Sequence, residues 1–229
     1  MALPRTLEPE VMDTEEEARD YDAMDHTQVN ARFCDDLLAS GARPARVLDV
    51  GTGTALIPIE LCRRDPRVEV DAIDLASHML ALAERNVARA ELGLRVRVAR
   101  MDAKATAWAD GTFDAVMSNS IVHHIPEPPQ VLAEVWRLVR PGGVLFVRDL
   151  ERPVDAARVA ELVDMYAPLP EAAPAVRSMH ERQRALFEAS LLAALTADEV
   201  RGMVGPLGIP RDGVRSTSDR HWTLVCVKP

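Results

Sequence analysis

The chain has 229 residues, 48% of them hydrophobic and 28% charged, which is enough for one domain with a full core. A formal charge of −9 disfavours partners bound by phosphate neutralisation, so no nucleic-acid partner is expected. Three scattered cysteines (Cys34, Cys62, Cys226) without a CxxC pair argue against a disulfide framework or structural zinc and fit a reducing cytoplasm, and no apolar run approaches the ~20 residues of a membrane span.

Residues 1 to about 15 are polar and acidic, lack a signal-peptide core and are expected to fray. The run Glu15-Glu16-Glu17 reads as a solvated helix start. Val29, Phe33, Leu37 and Leu38 then share one helical face that stops at Gly41. ARVLDV (45–50) is a buried strand, and TALIPIELCRR (54–64) is a helix with Pro58 near its first turn. VEVDAID (68–74) is the second strand. From Ser77, read as the N-cap, SHMLALAERNVARAELG carries apolar residues at helical spacing to Gly93. LRVRVARMD (94–102) alternates apolar and basic residues, as a half-exposed strand does. FDAVMS (113–118), a helix over 129–140, Pro141-Gly142-Gly143 and GVLFVRDL (143–150) complete the alternation. Residues 153–204 read as interrupted helices, and 213–228 as an antiparallel hairpin.

This order implies an α/β fold: a doubly wound, seven-stranded, mostly parallel sheet. The expected division is a helical N-terminal cap (1–44), a ligand-binding core (45–150), a helical cover inserted between strands five and six (151–205) and a terminal hairpin (206–229), all in one domain.

Polar residues stand at the carboxyl ends of successive strands, where open α/β sheets bind ligands. The first strand runs into Asp49-Val50-Gly51-Thr52-Gly53, and glycines there let backbone approach a ligand. Asp74 ends the second strand, placed for ribose hydroxyls, and Asp102 ends the third, placed for an adenine edge. Ser118 and Asn119 end the fourth. The third glycine of a dinucleotide fingerprint is replaced by Leu56, and Asp49 adds negative charge beside the turn. Such a turn suits a phosphate-free adenosine ligand with a cationic amino-acid tail.

VLDVGTGTA, AIDLASHML, RMDA, FDAVMSNSIVHHI and the Pro-Gly-Gly before the fifth strand resemble, in order, the motifs of class I S-adenosylmethionine-dependent methyltransferases. The likeness is to the small-molecule type that includes the quinone-biosynthesis C-methyltransferases. The terminal segments YDAMDHTQVNARF and TSDRHWTLV resemble a bacterial subgroup of such enzymes. The resemblance implies S-adenosylmethionine as cofactor. It places Gly51 and Gly53 along the methionine portion and Asp49 near its ammonium. It puts Asp74 on the ribose, Leu75 on the adenine, Asp102 and Ala103 at the adenine amino edge, and Ser118 and Asn119 beneath the sulfonium. Tyr21, Met24 and His26 fall where an N-terminal helix closes over the cofactor. Met79, a core residue by its spacing, is counted with the cofactor-binding set. Asn119-Ser120-Ile121-Val122 departs from the Asn/Asp-Pro-Pro-Tyr/Phe of amino-methylating members, which favours a small-molecule acceptor.

The resemblance also implies an antiparallel last strand, which puts its turn Ser218–His221 on the rim with Arg148 and Asp149. Expected catalytic groups are therefore His123, Asp149 and His221, with Arg148, Arg152 and Arg220 as substrate contacts; His124 reads as loop architecture. No residue is assigned to a metal. The protein is expected to be cytoplasmic, a monomer or homodimer, with no membrane partner. RNA methylation, a nicotinamide-dependent oxidoreductase and a non-catalytic binding protein are the alternatives.

Overall fold

The computed structural model describes residues 3–11, 13–41, 44–171 and 174–229. Its strands are β1 (Arg46–Val50), β2 (Glu69–Asp74), β3 (Val96–Arg100), β4 (Phe113–Asn119), β5 (Val139–Leu150), β6 (Val214–Ser216) and β7 (His221–Val227). They form one sheet in the order β3-β2-β1-β4-β5-β7-β6. The four pairings among β1 to β5 are parallel, and β7 runs antiparallel to both β5 and β6. This is the doubly wound sheet that the strand–helix alternation implies.

The helices are α1 (Glu15–Asp22), α2 (Thr27–Ala39), α3 (Leu56–Arg64), α4 (Ser77–Arg89), α5 (Pro128–Leu138), α6 (Ala156–Tyr166), α7 (Pro174–Ala193) and α8 (Ala197–Val204). They cover both faces, as parallel strands buried on both sides require. On one face Phe33 and Leu37 of α2, Ile59 and Leu61 of α3 and Ala83 and Val87 of α4 pack against Val47, Val70, Ala115 and Met117. On the other, Val131, Leu132, Val135 and Leu138 of α5 and Val200 and Val204 of α8 pack against Leu48, Val116, Leu145 and Val147. Each such side chain contributes roughly 1.5–3 kcal/mol when fully buried. The alternation within β1 thus aims Val47 and Leu48 at opposite layers. β3, at the sheet edge, buries Val96 and exposes Arg97 and Arg100, in keeping with its mixed pattern.

Local details differ from the sequence reading in three places. Helix α4 is entered from Ala76, with no side-chain cap from Ser77. Pro141-Gly142-Gly143 does not separate helix from strand: β5 begins at Val139, and a register shift between Phe113 and Ala115 absorbs the irregularity. The N-terminal segment is fastened rather than frayed. Arg5 Nε donates to the Ala193 carbonyl at 2.7 Å, and its Nη2 donates to His123 and Ile125 carbonyls at 2.9 and 3.0 Å. Thr14 and Glu17 form a capping box that starts α1. Among the described residues no helix is long and apolar enough to cross a membrane.

Candidate active site

Sheet order reverses between β1 and β4, and a cleft opens at the carboxyl ends of β1, β2 and β4, where such sheets bind ligands. It holds about 820 Å³, counting the part open to solvent. Tyr21, Gly51, Gly53, Asp74, Leu75, Met79, Asp102, Ala103 and Asn119 line it. Of the expected cofactor residues, Met24, His26, Asp49 and Ser118 do not line it.

The turn after β1 is built on backbone conformation. Gly51 and Gly53 have φ of +72° and +54°. A Cβ on Gly51 would meet Ile121 Cγ2 at 2.0 Å, so the loop after β4 can close on this turn only if residue 51 is glycine. Gly51→Ala should therefore lower stability by about 2–4 kcal/mol through overpacking and left-handed backbone strain. Thermal denaturation with a parallel cofactor-binding titration checks this; an unchanged melting temperature would mean Ile121 moves aside freely.

Asp74 ties the walls together. Its Oδ2 accepts the Gly53 N–H at 2.8 Å and its Oδ1 the Ala76 N–H at 2.9 Å. Burial raises its pKa against the pull of these amides. A carboxylate has about four lone-pair sites, so two remain for ligand hydroxyls. Asp102 is half exposed, with Lys104 Nζ 3.2 Å away, and Lys104 in turn meets Glu10 Oε1 at 2.5 Å. The cleft lining thus holds three carboxylates and one paired amine. That is a poor cradle for a pyrophosphate and a suitable one for a cationic ligand.

Asp49 is 2% exposed. Burial, with a further push from Asp74 and an opposing pull from the Thr52 hydroxyl, raises its pKa to about 7. Tyr21 reaches over the turn, and its ring lies 4.6 Å from the His26 ring, centroid to centroid. His26 Nε2 pairs with the Tyr21 carbonyl at 3.1 Å, so His26 steadies Tyr21 from outside the cleft. Ser118 is buried and donates its hydroxyl to the Val50 carbonyl at 2.9 Å, joining β4 to the end of β1.

After β4, Ser120 takes φ +59°, an uncommon conformation for a non-glycine residue that costs of the order of 1–3 kcal/mol. It lines the cleft with Ile121, His124 and Ile125. The single turn Val122–His124 is held from below by Asp149. Asp149 Oδ2 accepts the N–H groups of Val122 and His123 at 2.6 and 3.2 Å, and Oδ1 meets His123 Nδ1 at 2.5 Å. Burial favours neutrality in both partners, but each holds the other charged: the Asp149 pKa is lowered and the His123 pKa raised. Burial and then the His123 cation push His124 down to about 4.

The remaining expected catalytic and substrate residues are not brought to this cleft. Arg148, Arg220 and His221 line a second groove beside α2, β5 and β7, which shares no lining residue with the first. Arg148 donates to Asp36 at 2.7 Å and to Thr223 Oγ1 at 3.1 Å. Arg220 lies 3.3 Å above the Tyr166 ring. Ser218 Oγ meets His221 Nδ1 at 2.8 Å, and burial followed by the Arg220 charge lowers His221 to about 4. Arg152 is buried elsewhere, donating to the Ala194 carbonyl and to Glu199 at the start of α8. His123 and Asp149 are a buried pair beneath the cleft wall.

Sequence reasoning missed Glu10, Lys104, Ile121 and the cleft-facing position of His124. The N-terminal segment carries Glu10 and Val11 into the cleft wall, and nothing local in a polar, acidic stretch signals that long-range packing.

The Methyltransferase domain family matches residues 48–147. Over 121 residues the chain is 38% identical to the demethylmenaquinone methyltransferase of Thermus thermophilus, spanning 52% of this chain and 54% of that one. Over 190 residues it is 30% identical to the ubiquinone biosynthesis O-methyltransferase of Xanthomonas oryzae pv. oryzae, spanning 81% and 77%. For the demethylmenaquinone methyltransferases of Thermus thermophilus and Deinococcus radiodurans, the match spans about half of the relative's length. The fold matches that of a SAM-dependent methyltransferase from Aquifex aeolicus at TM-score 0.64 and 18% identity, over 93% of this chain and 97% of that one. The chain belongs to the S-adenosylmethionine-dependent methyltransferases.

Proposed function

We propose that the protein transfers the methyl group of S-adenosylmethionine to a small-molecule acceptor and releases S-adenosylhomocysteine. The observation that carries this reading is the carboxylate-rich cleft at the ends of β1, β2 and β4, closed by a left-handed glycine turn. Asp74 would hold the ribose, Asp102 and Ala103 the adenine edge, and the Gly51–Gly53 turn with Asp49 behind it the amino-acid tail. Met79 and Leu75 would pack on the base. When bound, the cofactor supplies an electrophilic methyl group.

The chain's own part is to position and to exclude water, which can supply much of the rate of an in-line displacement. Asn119, Ser120, Ile121 and His124 form the wall after β4, and the fastened segment with Glu10 and Val11 covers the opposite side. This cover favours a compact acceptor over a nucleic-acid strand. With its pKa near 4, His124 is neutral near pH 7 and adds an uncharged polar edge to the cleft wall. The names of the relatives favour a quinone-precursor-like acceptor class.

Titration with S-adenosylhomocysteine tests the reading. Binding is expected in the wild-type chain. Asp74→Asn should weaken it about 10–100-fold, because one charge-assisted hydrogen bond is worth about 1.5–3 kcal/mol. No binding by the wild type, or tight binding of NAD instead, overturns the proposal. A labelled-methyl assay in which tRNA rather than metabolites takes up the label overturns the acceptor class.

A further inference from the structure

Beneath the cleft wall three ligand-type side chains converge. Glu8 Oε1 lies 3.2 Å from His124 Nδ1 and 3.5 Å from His123 Nε2. All three atoms lie within 4.8 Å of one another. Neither contact is aligned as a hydrogen bond: Glu8 Oε1 and His124 Nδ1 are both buried without a hydrogen-bond partner among the described residues. The Glu8 side chain is only 8% exposed. A buried carboxylate that met an imidazole merely as an ion pair would lie in line with a ring N–H. Lone pairs that miss one another while sharing a small space are arranged as ligands around a common centre.

The outer contacts agree. His123 Nδ1 is engaged by Asp149 Oδ1 at 2.5 Å, so Nε2 is the nitrogen that faces Glu8, and a metal ion there would take the place of its proton. A carboxylate behind a ligating histidine fixes its tautomer and orientation in metal sites. Glu8 is held in turn by Ser190 Oγ at 3.3 Å, and its segment is fastened through Arg5 to the His123 carbonyl. In a tetrahedral zinc site with bonds near 2.0–2.1 Å, neighbouring ligand atoms are about 3.3 Å apart. The two contacts to Glu8 bracket that spacing. Two imidazoles and one carboxylate suit a first-row transition metal better than calcium or magnesium, which prefer all-oxygen shells.

We propose that Glu8 Oε1, His123 Nε2 and His124 Nδ1 bind a divalent transition-metal ion, Zn²⁺ foremost, with Asp149 as the supporting carboxylate. Three protein ligands leave a coordination position open, as catalytic rather than structural zinc sites do. His124 also borders the cleft, so the ion would stand in the wall of the candidate acceptor site. The proposal does not depend on methyl transfer, because ion binding requires no cofactor.

The test is to strip the full chain with a chelator and titrate it with Zn²⁺ alone against a chromophoric competitor, with Co²⁺ absorption reporting the ligand geometry. One equivalent should bind. Glu8→Gln and His124→Ala should each weaken binding at least 100-fold, and Asp149→Asn about 10–100-fold. Glu8→Gln should keep its far-ultraviolet circular dichroism and its affinity for S-adenosylhomocysteine, which separates ligand loss from unfolding. Absence of stoichiometric binding, or binding that survives both Glu8→Gln and His124→Ala, overturns the site. Failure of the wild type to bind S-adenosylhomocysteine would count against the methyltransferase reading and leave the zinc result readable.

Discussion

Asp49→Asn should stabilise the ligand-free protein above pH 7 and at the same time largely abolish binding of S-adenosylhomocysteine. The carboxyl group is buried, and its pKa is raised from 3.8 to about 7. For an acid whose folded pKa is raised, the unfolded state releases its proton first, so stability falls as pH rises from about 4 to about 7 and is constant beyond. A shift of about three pKa units corresponds to a cost of as much as about 4 kcal/mol at pH 8. The neutral amide fills the same space without that charge, so the melting temperature of the variant should exceed that of the wild type at pH 8. At pH 4 the two should coincide. Cofactor binding reverses the preference. An ammonium group placed beside Asp49 favours the carboxylate, so binding should draw a proton off and wild-type affinity should rise with pH between 6 and 8. Removing one partner of such a buried pair costs about 3–5 kcal/mol, or more than 100-fold in affinity. Calorimetry in two buffers of different ionisation enthalpy at pH 6.5 reads the proton directly. Affinity flat between pH 6 and 8, together with an Asn variant that binds normally, would sink this assignment.

The parts of the cleft that could be read from the sequence are those fixed by position along a strand. Gly51, Asp74, Asp102 and Asn119 each follow or end a strand whose apolar pattern is clear, and a parallel sheet carries all such ends to one edge. Asp49 illustrates the limit of this reasoning: strand alternation turns its side chain into the layer beneath the turn rather than into the cleft. The rim residues show the same limit more strongly. Arg148, Arg152 and His221 stand near the same end of β5 and β7, yet packing sends them to different neighbours. Arg152 points beneath α8 to Glu199, while Arg148 crosses to Asp36 on α2. Side-chain direction there depends on the helices inserted after β5, whose placement no local pattern encodes. Glu8 and Glu10 were out of reach for a related reason. Their role comes from contacts with α7 and the loops after β3 and β4, far along the chain, and acidic composition alone points to solvent.

Asp149→Asn should cost more than any surface ion pair, with a pH signature that identifies the pair. Asp149 is fully buried and holds Val122, His123 and Leu150 by their N–H groups as well as the His123 ring. Breaking a buried ion pair from one side costs about 3–5 kcal/mol, which for a chain of this size lowers the melting temperature by about 10 °C. The two pKa shifts set the window. His123 is raised above 6.5, so its contribution is full below pH 6.5 and disappears as pH rises through its folded pKa. Asp149 is lowered below 3.8, so its contribution is full above pH 3.8 and disappears as pH falls through its folded pKa. The deficit of the variant should therefore be greatest between about pH 4 and 6.5 and shrink as pH rises through the folded pKa of His123. Denaturant unfolding at pH 5.5 and pH 9 measures the difference. An equal deficit at both values would reduce Asp149 to a hydrogen-bond acceptor for the loop. Because that loop carries Ile121 and His124 into the cleft wall, the variant should also bind S-adenosylhomocysteine more weakly even under conditions where it is fully folded.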